Sequence, residues 1–149
     1  MAAPDLRVRP PRRSSDELGG IRWLPRIIDK LRAARAGTLG PYILCQSPMD
    51  RWLLQQLGLS HDDLAEIIAA SQDDDGVLVA LSARDPQGIE RARRWSDRIA
   101  KSHRLYFWFV DVDDGYVEKS PWYGTVHASA NAISWMAKHL MRSKYDAQS

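Results

Sequence analysis

The amino-acid sequence predicts a mainly α protein: a compact, single-domain bundle of five to six helices over residues 15–149, behind an extended basic arm over residues 1–14. Three observations predict it. Helix-favouring residues dominate, with 17 Ala, 15 Leu and 16 Arg against two Thr and seven Val. Apolar residues recur at helical spacing in successive segments. Gly, Pro, Ser and Asp stand where helices start and stop.

The elements follow in order. Pro4, Pro10 and Pro11 deny the arm regular structure, so it is either extended and mobile or draped over the body. A first helix is expected from about Gly20 to Arg35, with Pro25 in its first turn and Gly37 at its C-terminal cap. Trp23, Leu24, Ile27, Ile28, Leu31 and Ala34 fill one arc of it; Arg22, Arg26, Asp29, Lys30 and Arg32 fill the other. That pattern predicts a helix packed on one side. Ser47 caps a second helix, with Pro48 at its first position and Asp50 at its third, and Gly58 stops it. Ser60-His61-Asp62-Asp63 opens a third, ending near Ser71. Residues 76–83 form a short apolar, helical segment, and Asp85-Pro86 starts a helix running to about Ser102. The dense apolar run Leu105–Val112 reads two ways: a strand entering a small β-hairpin near 105–118, or a buried helix capped by Gly115. A last helix spans roughly Gly124 to Tyr145.

Composition limits function. The 149 residues are 44% hydrophobic and 27% charged, as in ordinary globular proteins. Cys45 is the single cysteine, which excludes an internal disulfide and any multi-cysteine metal site. The longest apolar run, Leu105–Val110, is far short of the roughly 20 residues a membrane helix needs. With no apolar signal core at the start, the expectation is a soluble cytoplasmic protein that does not engage membranes. The net charge of +2 hides segregated blocks: +5 over residues 1–35, −6 over 36–75, +4 over 76–104 and −1 over 105–149. Such blocks are expected to attract one another inside the fold. No Walker loop, H-E-x-x-H or G-x-S-x-G is present. Asp111-Val112-Asp113-Asp114-Gly115 fails as a calcium loop, because its glycine comes one place early and the twelfth position is Trp122.

The stretch Leu18-Gly19-Gly20-Ile21-Arg22-Trp23-Leu24-Pro25-Arg26, followed by Asp29-Lys30-Leu31-Arg32, Gly37-Thr38-Leu39-Gly40-Pro41-Tyr42, Pro48-Met49-Asp50 and Leu57-Gly58-Leu59, resembles a bacterial family, domain of unknown function 5069. The resemblance is firm over residues 15–64 and loose beyond. The family usually carries a cysteine directly before Pro-Leu-Asp; here Gln46 and Ser47 separate Cys45 from Pro48. The resemblance implies a small, mostly helical bacterial protein and brings no activity with it. It does bring a location, the first helix and the loop after it.

Three candidate sites emerge. The family-like cluster Arg26, Asp29, Lys30, Tyr42, Cys45 and Asp50 either binds a polar ligand or ties the 37–47 loop to the first two helices. Arg91, Arg94, Arg98 and Lys101 form a cationic stripe on the 85–102 helix, flanked by Glu90 and Asp97; it either tracks phosphates or is a face that is solvated or docked on the acidic block. Trp135 lies beside His139 on the polar face of the last helix, and either covers Arg/Lys stems or anchors an interface. The absence of catalytic motifs favours a non-catalytic binding protein, through self-association as a homo-oligomer or through a protein partner. The first alternative is nucleic-acid binding through the arm and the 91–101 stripe. The second is an enzyme or small-ligand binder using the 26–50 cluster. No cofactor or metal is expected.

Overall fold

A computed structural model describes residues 3–44 and 46–117 of the chain. The chain divides into two compact units, residues 1–116 and 117–149, and the described elements all belong to the first. The expected last helix, with Trp135 and His139, lies outside the described residues, as does Cys45.

The described chain is mainly helical, as its composition predicts. A minimal antiparallel hairpin, β1 (Glu17–Leu18) and β2 (Ile21–Arg22), precedes α1 (Leu24–Arg35), α2 (Pro48–Leu57), α3 (His61–Ala70), α4 (Asp74–Arg84), α5 (Pro86–Ser102) and α6 (Arg104–Asp113). The caps appear where the sequence places them. The Ser47 hydroxyl accepts from the Asp50 backbone N–H, and Gly58 ends α2 at φ 66°. Ser60 and Asp63 form a capping box on α3. The Asp73 carboxylate caps α4, which begins two residues earlier than its apolar run.

Three readings are settled or changed. The 105–112 run is helix α6, closed by Gly115 at φ 78°, and no hairpin forms there. The hairpin sits at 17–22 instead. Gly19 (φ 58°) and Gly20 (φ 78°) are consecutive left-handed residues, the turn geometry that suits the twist of two short strands and that glycine adopts without steric cost. That turn occupies the expected first turn of α1, so the helix starts at Leu24, behind Trp23, whose own φ is 69°.

The third change concerns α1, which is not packed on one side. Every residue from Leu24 to Ala33 is buried, including Arg26, Asp29, Lys30 and Arg32. Its apolar arc meets Met49, Leu53, Leu64, Val77 and Trp95 in the core, where each fully buried large side chain contributes roughly 1.5–3 kcal/mol. Its charged arc is covered as well, partly by the arm, which lies draped on the body: Leu6, Pro11 and Ser14 are buried. The Leu6 N–H bonds the Thr38 carbonyl at 2.9 Å, and the Thr38 hydroxyl bonds the Pro4 carbonyl at 2.9 Å. Gly40 (φ 64°) makes this approach feasible, since a Cβ there would stand 2.7 Å from the Leu6 carbonyl oxygen.

Candidate functional site

The charged arc of α1 is the centre of a polar network closed by side chains far away in sequence. One turn into α1, Arg26 reaches Asp114, just past the end of α6, at 2.5 Å; both side chains are under 10% exposed. The Tyr42 hydroxyl donates to the other oxygen of Asp114 at 3.1 Å. The Arg26 guanidinium lies 5.3 Å from the Trp23 ring and 5.7 Å from the Tyr42 ring, held between two aromatic faces. Burial, reinforced by Asp114, pushes the Tyr42 hydroxyl up to about 12. At neutral pH it is therefore a fixed donor, and it is unsuited to act as a base or nucleophile.

One turn further, Lys30 donates to Asp50 at 2.6 Å and to the Ile43 carbonyl at 3.3 Å. Trp23 Nε1 donates to the other oxygen of Asp50 at 2.7 Å. The left-handed backbone at Trp23 aims that indole between Asp50 on one side and Arg26 on the other. The 37–47 loop is thus tied to α1 and α2 through Lys30 and Asp50; of the two carboxylates expected to make this tie, Asp29 and Asp50, only Asp50 takes part.

Asp29 turns to the arm instead. Arg12 grips it with Nε and Nη2 at 3.0 and 2.8 Å, and adds its backbone N–H at 2.9 Å. Arg12 Nη1 continues to Asp74 in the first turn of α4, which also takes Arg32 at 2.5 Å. Burial alone would raise the Asp74 carboxyl, but the hydrogen bonds from Arg12 and Arg32 outweigh it and hold the group below the usual carboxylate range. Arg13 pairs with Asp111 of α6 at 2.8 Å, and the Ser14 hydroxyl donates to the same carboxylate at 2.8 Å. The expected attraction between charge blocks is realised here: Arg12, Lys30 and Arg32 of the first block meet Asp50 and Asp74 of the second.

Arg26, Asp29, Lys30, Tyr42 and Asp50 are therefore brought into one connected network, and each is engaged by another protein group. None of the described grooves, of 440–720 Å³, is lined by any of the five. Among the described residues no group of three His, Cys, Asp or Glu side chains is placed to hold a metal ion. Arg12, Arg13, Trp23, Asp74, Asp111 and Asp114 complete the network and escape a reading of the sequence. The one signal for the charged ones is charge next to proline or in a turn, which does not name a partner 17 to 98 residues away.

The cationic stripe is real and outward, but not uniform. Arg91 is engaged by Asp85 at 2.8 Å and by the Gln56 carbonyl at 3.1 Å, so it docks on backbone and on its own helix cap rather than on the acidic block. Arg94, Arg98 and Lys101 are exposed and form no ion pair among the described residues. In the arm, expected as a second cationic element, Arg7 pairs with Asp5 and Arg12 and Arg13 are bound as above, while Arg9 is exposed.

Fold and network together define a small, mainly helical protein whose first helix is clamped by ion pairs among the described residues. The chain belongs to the family of domain of unknown function 5069 (DUF5069), whose model matches residues 8–115. That span exceeds the residues that carry the resemblance in sequence and nearly coincides with the first compact unit. No curated protein matches the chain. Among the described residues no helix is long and apolar enough to cross a membrane.

Proposed function

We propose that this protein works by binding rather than by catalysis, and that its family-like polar cluster is a frame that fixes the arm, the 37–47 loop and α6 around α1. One observation carries the reading: Arg26, Asp29, Lys30, Tyr42 and Asp50 are all engaged by protein partners, and no described groove opens on them. Side chains kept for chemistry are usually under-satisfied and cost stability, so replacing them tends to stabilise a fold. Side chains kept as a frame behave the opposite way. Urea unfolding of Tyr42→Phe is expected to show a loss of about 1 kcal/mol, and Asp29→Asn a loss of about 2 kcal/mol because its partner Arg12 is charged. A gain in stability in either variant would overturn the reading.

Self-association belongs to the same proposal and rests on Trp135, on the polar face that the sequence predicts for the last helix. Sedimentation across a concentration series is expected to give a mass above the monomer for the wild type, shifted toward the monomer in Trp135→Ala. A monomer at every concentration removes self-association and leaves binding to other molecules.

A further inference from the structure

We propose that the seam between α2 and α5 binds single-stranded nucleic acid, its phosphates on Arg94 and Arg98 and a base stacked on Trp52. The proposal rests on the reading of the protein as a binder and names the ligand class for one face of it. Helix α2 runs alongside α5, with the Arg91 guanidinium on the Gln56 carbonyl and Gly88 packed close to the Leu57 carbonyl. Gln56, Arg91, Arg94, Asp97 and Arg98 line a groove of about 540 Å³ on this seam. One turn before Gln56 on α2, and so on the same face, stands Trp52. It is 40% exposed, an unusual position for an indole, and its ring meets the edge of His103 at the C-terminal end of α5 at 5.8 Å. Trp52, Gln56, Arg94, Arg98 and His103 thus bring an aromatic face, an amide and a pair of cations to one seam.

This is the pairing that sequence-tolerant recognition of single strands needs: cations that track the backbone and a π-face for an unpaired base. Arg94 and Arg98 are four residues apart, which sets their Cβ atoms about 5–6 Å from each other, of the order of the step between successive phosphates in a single strand. Both are exposed and neither joins an ion pair among the described residues, so neither must break one there to take a phosphate. Asp97 lies in the same groove and limits the net positive charge, which favours contact with a few phosphates over neutralising the dense charge of a duplex. A duplex also keeps its base faces stacked and offers nothing to Trp52. An acidic peptide would satisfy the cations but would leave the indole unused.

The test uses the full chain and fluorescein-labelled oligouridylate and oligodeoxythymidylate of about 12 nucleotides, followed by anisotropy at about 50 and 200 mM salt. Binding of either single strand is expected, weakening with salt. The variant Arg94→Gln/Arg98→Gln is expected to flatten the slope of log K against log salt by about 1.4, two phosphates at about 0.7 each. Trp52→Ala is expected to weaken binding about tenfold with an unchanged unfolding midpoint. The proposal is overturned by no binding at the lower salt, by a duplex that binds as tightly as the single strand, or by variants that match the wild type. It is also overturned if polyglutamate competes equally well against wild type and Trp52→Ala, since the ligand is then an acidic peptide. Loss of oligonucleotide binding leaves the stability of Tyr42→Phe and Asp29→Asn where the binder reading puts it. A gain in their stability sinks that reading whatever the oligonucleotide does.

Discussion

Asp50→Asn is expected to lower the unfolding free energy by about 3–5 kcal/mol, the usual cost of leaving one member of a buried ion pair without its opposite charge. Domains of this kind are held by only about 5–15 kcal/mol, so the change removes a large share of the total. Asp50 is fully buried and Lys30 nearly so, and the carboxylate takes both the Lys30 ammonium and the Trp23 indole. Asparagine keeps the shape and one acceptor oxygen, but its NH2 replaces the other and meets either the Lys30 ammonium or the Trp23 indole N–H, each itself a donor. Whichever way the amide turns, the Lys30 ammonium stays buried without its opposite charge and keeps its bond to the Ile43 carbonyl. Urea denaturation measures the loss. The paired variant Lys30→Met/Asp50→Leu removes both charges and is expected to recover most of it, short of full recovery because Trp23 Nε1 loses its acceptor. A cost below about 1 kcal/mol for Asp50→Asn would mean that the pair does not anchor the loop to α1.

Arg12→Ala is expected to release the arm and to cost about 2–4 kcal/mol, because Arg12 joins three separate parts of the chain through charge-assisted hydrogen bonds. It holds Asp29 of α1, Asp74 of α4 and the Pro25 carbonyl, and its own carbonyl accepts from Arg26. Limited trypsin digestion reads the release directly: in the wild type, cleavage within the arm is expected to be slow, and in Arg12→Ala it becomes fast after Arg7, the Arg9 bond being protected by Pro10. Resistance equal to the wild type would show that Leu6 and the Thr38 bonds hold the arm by themselves. The same contact sets a pH dependence. Asp74 has a depressed pKa in the folded state, so its contribution is present above the ordinary carboxyl value of about 4 and is lost as pH falls through the depressed one. Acid titration of stability should therefore steepen below about pH 4 in the wild type and be shallower in Arg12→Ala, where Arg32 alone holds the group.

The helices of this protein are legible one by one because their signals are local. A Ser three residues before an Asp, a Pro at a first helical position, or a Gly after the last apolar residue acts within one turn, and Ser47, Ser60 and Gly58 do what their neighbours say they should. The two-residue Gly19-Gly20 turn is also a local signal, hidden by the apolar spacing of the helix that follows it. The burial of Arg26, Asp29, Lys30 and Arg32 is of another kind. Charge on one arc of a helix ordinarily marks solvent, and nothing within the helix says that carboxylates from residues 50, 74 and 114 will cover it.

Periodicity, caps and composition were enough to specify a mainly helical chain, the extent of most of its helices and the apolar faces that meet in the core. Only the packed molecule decided whether the 105–112 run coiled, where the arm lay and which polar residues were left open to other molecules. The physical reason is range. Capping and hydrophobic spacing operate over a few residues of one chain segment, whereas a buried charge is settled by whichever opposite charge the completed fold brings within about 3 Å.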